Sequence, residues 1–148
     1  VDVTLSAVHA ARTITREQNA LIAEWSGKTV WLNPPFSNLQ AFARKAQKEL
    51  HATRIKNLVF LHLSTSIGCK WHRDLLDSAE RHFILPIITR LSFRPEEREV
   101  RYGMAISVLH GRDHEFESEF RRSIGALIES GYVSRNATNL WDAHIKSI

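Results

Sequence analysis

The sequence predicts an α/β sandwich with a mainly parallel sheet, and three observations carry that expectation. Short apolar, β-branched runs alternate with segments of helical periodicity. One run, Asn57–Leu63, is apolar at almost every position, as a central strand covered on both faces must be. The chain of 148 residues, 43% apolar and 24% charged, can bury roughly two-thirds of its unfolded surface in one domain.

The elements follow in order. Thr29–Leu32 is a short β-branched and aromatic strand. It ends at Asn33-Pro34-Pro35 because proline cannot continue a hydrogen-bonded ladder. Ser37 with Gln40 reads as a capping box opening a helix. In that helix Leu39, Phe42, Ala43, Ala46 and Leu50 share one face, and Arg44, Lys45 and Lys48 take the other. After the buried strand Asn57–Leu63, a polar loop Ser64–Gly68 leads to a short helix around Trp71–Glu80. His82–Ile88 reads as a further buried strand, with Pro86 marking its end or an edge. Leu91–Phe93 and Tyr102–Leu109 are strand-like and flank the charged turn Arg94–Arg101. Glu115–Ser130 places Phe116, Phe120, Ile124, Leu127 and Ile128 on one helical face, with Gly131 as its cap, and a last helix covers Ala137–Lys146.

Composition narrows the function classes. Six Gly, four Pro and no repeat exclude collagen, coiled coil and disorder. No apolar run approaches a membrane span, so no membrane partner is expected. The single cysteine, Cys69, cannot form an internal disulfide, which points to the cytoplasm. The chain opens at Val1 without Met or a signal segment, and further sequence before it is expected. Net charge is +4 and unevenly spread. Residues 1–112 hold sixteen Lys and Arg against ten Asp and Glu, and residues 113–148 hold four against six. A solvated basic surface and a polyanion-binding body both fit that balance. The expected division is therefore a main domain, 1–112, and a helical extension, 113–148, packed on it or on a protein partner.

Asn33-Pro34-Pro35-Phe36, leaving a strand, is the motif that carries chemistry. Two prolines stiffen the turn and remove two donors, so it presents acceptors: the Asn33 side-chain oxygen and the Pro34 carbonyl. Such a pair can hold both hydrogens of a planar amino group and localise its lone pair for attack on an electrophilic methyl. Phe36 supplies a flat face for a heterocycle that has left a duplex. An ordinary strand-ending turn with Phe36 in the core is the competing account.

Trp31-Leu-Asn-Pro-Pro-Phe-Ser-Asn38, followed by a helix, resembles the phage-type Dam-like DNA N6-adenine methyltransferases. The resemblance runs in order over roughly residues 2–109. It takes in Asp2–Ser6, Ala10, Thr15, Glu17, Leu21 and Trp25, then Leu63–Ser66 with Trp71-His72, then Arg90–Phe93 and Tyr102–Leu109. It implies a Rossmann-like methyltransferase fold, S-adenosylmethionine as cofactor, and the exocyclic amine of adenine in DNA as acceptor, in a bacterial or phage-infected cell. Asn33, Pro34, Pro35 and Phe36 carry over as the catalytic turn. Asp2, Ser6, His9 and Asn19 fall where the cofactor is expected. Ser37, Lys70, Arg90 and Arg94 are candidate nucleic-acid contacts. Leu5 stands where the family favours a small residue, His9 replaces an Asn, and Asn19 replaces an Asp. Those departures keep a second account open, a catalytically inert module of the same fold that binds nucleic acid or acts in an assembly. RNA adenine and glutamine amides are the other acceptors that such turns serve.

Other signals carry less. Cys69-x-x-His72 has metal-ligand spacing without a second pair, and no metal is expected. His114-Glu115 lacks the Pro-Cys-x-x-Cys of zinc deaminases. His62, inside an apolar strand, reads as a hydrogen-bonded core histidine.

Overall fold

The computed structural model describes residues 13–15, 17–88 and 102–110, together with 125, 128, 129, 131 and 134. Among these residues the sheet has four strands: β1 (Gly27–Leu32), β2 (Ile55–Leu63), β3 (Arg81–Pro86) and β4 (Met104–His110). Helix α1 (Leu39–His51) joins β1 to β2, and α2 (Lys70–Asp77) joins β2 to β3. The strand order is β1-β2-β4-β3.

The sheet is mixed rather than mainly parallel, which corrects the sequence expectation. β1 and β2 pair in parallel, whereas β4 lies between β2 and β3 and runs antiparallel to both. β1, β2 and β3 thus point one way and β4 alone points back. The reason lies in the connections. A parallel neighbour needs a crossover, and α1 provides one between β1 and β2. Between β3 and β4 the sequence has strand-like runs about a charged turn and no helical period, so it offers no helical crossover of the kind a parallel neighbour needs.

β2 is buried at six consecutive positions from Asn57, with Leu63 half-buried, so the reading of it as a central strand holds. Its alternate side chains feed two apolar layers. Leu58 and Phe60 meet Val30, Leu32, Ala43, Ala46 and Leu75 beneath α1 and α2. Val59 and Leu61 meet Leu85, Ile106 and Val108 on the other face, where Trp31, Phe36, Phe83 and Ile128 pack against them. Ile128 belongs to the apolar stripe predicted for the C-terminal extension, and this one residue of the stripe does pack on the sheet. The other four lie outside the described residues, as do Leu91–Phe93 and the helix expected at 137–146.

Both ends of α1 are set by local chemistry. The predicted capping box does not form. A 3₁₀ turn, Phe36–Asn38, is closed by the Asn38 N–H donating to the Pro35 carbonyl at 3.0 Å, so Ser37 is used up in that turn. Asn38 becomes the N-cap, without a side-chain cap bond. At the other end Thr53 N–H reaches the Leu50 carbonyl at 3.0 Å and Arg54 N–H reaches the Glu49 carbonyl at 3.1 Å. Those two bonds make a Schellman motif whose left-handed position, φ 56°, holds a β-branched Thr53 instead of glycine.

Trp25 anchors the segment before β1. It is fully buried and donates its Nε1–H to the Ala20 carbonyl at 2.8 Å. Glu49 is also fully buried, bonded to Arg54 at 2.6 Å and to Lys45 at 2.7 Å. Burial pushes its carboxyl pKa up, but the bonds and charges of Arg54 and Lys45 outweigh that and hold it below the usual value.

Candidate active site at the carboxyl edge of the sheet

Because β1 and β2 are parallel with Leu32 beside Phe60, their carboxyl ends reach the same edge. β3 ends there too, and β4, running backwards, begins there with Met104 opposite Leu63. Four connections therefore converge: Asn33–Asn38, Ser64–Cys69, the chain after Pro86, and Tyr102–Gly103. They are tied together. Ser64 N–H donates to the Gly103 carbonyl at 2.9 Å, and Ile87 N–H to the Met104 carbonyl at 3.0 Å. A Cβ at Gly103 would stand 2.8 Å from Ser64 Oγ, so any larger residue there must push the serine hydroxyl aside.

Within the Asn33–Phe36 turn, Pro34 is buried, Pro35 is exposed, and Asn33 and Phe36 are half-buried. Phe36 packs on the second apolar layer while keeping part of its ring open. Among the described residues nothing hydrogen-bonds the Asn33 side chain or the Pro34 carbonyl. The turn thus offers two unengaged acceptors and a partly open aromatic face, the arrangement that an exocyclic amine on a flat ring requires.

Around the turn the surface is unusually apolar for loops. Ile67, Ile88 and Tyr102 are 44%, 60% and 52% exposed, and all three lie in connections at this edge. Sequence reasoning missed them because single apolar residues in loops are unremarkable until topology gathers them. Ser37 is exposed beside the turn. Lys70 opens α2 with its side chain 81% exposed and pairs with Asp74 at 2.6 Å, a surface ion pair of small intrinsic worth.

Of the residues assigned to the cofactor, Asp2, Ser6 and His9 lie outside the described residues, with Leu5 among them. Arg90 and Arg94 do too. Asn19 is described, and its side chain is turned onto its own backbone. It sits at φ 52°, and its Oδ1 accepts the Leu21 N–H at 3.1 Å. Its carbonyl accepts the N–H groups of Ile22 and Ala23 at 3.0 and 2.9 Å. Asparagine tolerates that left-handed geometry well, which gives a local reason for its presence.

Behind the edge lies a buried polar cluster. His62 Nε2 and His72 Nε2 both reach Ser107 Oγ, at 2.7 and 2.9 Å, and His62 Nδ1 reaches the Leu63 carbonyl at 2.9 Å. Their rings lie 4.8 Å apart, and Trp71 meets both edge-on. Burial drives the His62 pKa down to about 4, reinforced by His72 and opposed by the Leu63 carbonyl. Burial and then His82 lower that of His72. His62 is the hydrogen-bonded core histidine expected, but its partners were not foreseen. His72 faces this cluster, whereas Cys69 is exposed with its thiol 3.8 Å from the Thr65 carbonyl. Among the described residues no group of three metal-ligating side chains occurs, and no helix is long and apolar enough to cross a membrane.

Comparison with known proteins adds to this geometry. A 60-residue stretch is 42% identical to the DNA N-6-adenine-methyltransferase of Haemophilus phage HP1 (strain HP1c1), covering 39% of this chain. The match spans about a third, 32%, of that relative's own length. The profile of the DNA N-6-adenine-methyltransferase (Dam) family matches residues 5–138. With nearly the whole sequence inside that match and the acceptor-bearing turn at the sheet's carboxyl edge, the chain belongs to the phage-type Dam family.

Proposed function

We propose that this chain transfers a methyl group to the N6 amine of adenine in DNA, with Asn33–Phe36 as the catalytic turn. The observation that carries the proposal is the pair of unengaged acceptors on Asn33 and Pro34, fixed at the carboxyl end of β1 in a Dam-family chain. The cofactor for this chemistry, S-adenosylmethionine, supplies an electrophilic methyl group when bound. No described residue is assigned to hold it, since Asn19 spends its side-chain oxygen on Leu21.

The chain's own part is to present the base. Asn33 Oδ1 and the Pro34 carbonyl each accept one N6 hydrogen, drawing the lone pair out of the ring. Fixed prolines keep those acceptors in place without reorganisation, which is where such sites gain most of their effect. Phe36 stacks on the extruded adenine. Ile67, Ile88 and Tyr102 form an apolar rim suited to the unstacked neighbours that extrusion leaves in the duplex. The basic balance of residues 1–112 supports DNA as the polyanion.

The test is transfer of labelled methyl from S-adenosylmethionine to duplex DNA, read as N6-methyladenine. Asn33→Ala is expected to lower the rate by about a hundredfold with thermal unfolding unchanged. A variant as fast as the parent would remove Asn33 from the mechanism. Incorporation into RNA alone would remove DNA as the substrate.

A further inference from the structure

We propose that His62, Ser107 and His72 are positioning residues, forming a buried one-way hydrogen-bond relay that staples the Ser64–Cys69 loop beside the Asn33–Phe36 turn. The proposal rests on the function argued above only in taking that edge to be where substrate lies.

The direction of the relay follows from counting hydrogens. The Leu63 carbonyl only accepts, so His62 Nδ1 must carry the hydrogen across their 2.9 Å contact. A neutral ring then leaves Nε2 with a lone pair, which takes the Ser107 hydroxyl hydrogen at 2.7 Å. Ser107 has no second hydrogen, so its Oγ accepts from His72 Nε2–H at 2.9 Å. The opposite sense needs both nitrogens of His62 protonated, an imidazolium with 0% exposure. Each imidazole is thereby fixed as one tautomer, His62 as Nδ1–H and His72 as Nε2–H. His72 Nδ1 is left as a buried acceptor with no partner among the described residues.

The relay's placement gives it a task. His62 is the penultimate residue of the strand before the loop, His72 lies in the first turn of the helix just after it, and Ser107 on β4 joins the two. The loop between them carries Ile67, Gly68 at φ +90° and Cys69; its own bonds are two short turns, Ile67 N–H to Ser64 and Cys69 N–H to Ser66, with a long contact from the Cys69 thiol to the Thr65 carbonyl, and its first residue, Ser64, donates to Gly103. Apart from those bonds and the buried Ser66, the loop is held by its ends. Leu32, the residue before Asn33, pairs with Phe60, so His62 stands two residues, roughly 7 Å, further along the neighbouring strand. Trp71 closes the cluster, edge-on to both imidazoles at 6.4 and 5.8 Å.

Three measurements on the full chain decide the matter. Long-range 15N–1H spectra of the parent protein at neutral pH are expected to show Nδ1–H on His62 and Nε2–H on His72. The reverse pair of tautomers overturns the relay, and this readout needs no variant. Ser107→Ala is expected to speed amide exchange at Ile67 and Cys69 about tenfold. Amides of β2 should stay unchanged, and Ser107→Thr, which keeps the hydroxyl, should restore the slow rates. Loop rates that rise only in step with β2 mean global loosening and overturn the staple. Finally, kcat for methyl transfer should fall about tenfold in Ser107→Ala while KM for DNA changes little. A parent protein that methylates nothing defeats the functional reading, and the tautomers and loop rates still decide the relay. An active parent whose Ser107→Ala variant has a looser loop but unaltered kcat defeats the positioning role and leaves the functional reading intact.

Discussion

Acid should destabilise this protein well above the range where carboxylates titrate, and His62 sets the size of the effect. Its pKa is about 4 in the folded chain against 6.5 for an ordinary histidine. The folded state therefore binds fewer protons than the unfolded state between those values, so stability rises with pH across the window and is lost as pH falls. Going from about pH 7.5 to about pH 5, unfolded His62 becomes almost fully protonated while the folded ring stays mostly neutral, a loss of about 2 kcal/mol. The slope between about pH 5 and 6 is about 1.2 kcal/mol per pH unit. His72, also lowered, adds to it with the same sign. His82 on β3 opposes a charge on His72. Glu49 contributes only below its ordinary 4.5, outside the window. Urea unfolding of the parent and of His62→Leu over this pH series isolates the term. The variant should be less stable at neutral pH and should lose the His62 share of the slope. An equal slope in both proteins would falsify the assignment of the low pKa to His62.

Three further outcomes can be checked directly. Trp25→Ala removes a fully buried side chain and its bond to the Ala20 carbonyl, and should cost about 3–5 kcal/mol in denaturant unfolding. Thr53→Gly relieves a β-branched residue at φ 56° and should raise stability by about 0.5–1 kcal/mol after the entropy of the added glycine, measured in the same way. Tyr102→Ala on the apolar rim should weaken methyl transfer to paired duplex by about tenfold. It should do little to DNA whose target adenine faces an abasic site, and an equal loss on both would remove Tyr102 from base extrusion.

Much of this was legible in the sequence because local chemistry is unambiguous there. Pro34 and Pro35 end β1 whatever surrounds them, and the uniform apolarity of β2 requires cover on both faces. The apolar spacing of α1 also came through, although Glu49 takes a buried place on that helix that no hydrophobic pattern announces. It is buried because Lys45 and Arg54 close on it, a pairing set by where the chain turns after His51. The capping box failed for a comparable reason. Ser37 and Gln40 have the right spacing, but the 3₁₀ turn behind two prolines takes Ser37 first. Ser107 was beyond reach altogether. A serine inside an apolar strand gives no sign of its partners, and His62 and His72 lie 45 and 35 residues away. Leu63–Ser66 and Trp71-His72 entered the family resemblance as separate pieces, and only the register of β4 brings the residues beside them to one hydroxyl.

The direction of β4 links the corrected fold to the site. A parallel β4 would bring its last residue, His110, to the carboxyl edge and carry Tyr102 and Gly103 to the far side of the sheet. Running backwards, it starts at the edge, so Met104 faces Leu63 and the Gly103 carbonyl takes the Ser64 N–H. The same register places Ala105 opposite His62 and Ser107 opposite Phe60, on the face that α2 covers. Side chains two residues apart on a strand share a face, so Ser107 stands diagonal to His62, within reach of its Nε2. Shifting β4 by one residue would turn Ser107 to the opposite layer, among Val59 and Leu61, and leave both imidazoles without the hydroxyl. The one reversed strand thus supplies the rim residue Tyr102, the glycine that admits Ser64, and the serine that joins the two histidines.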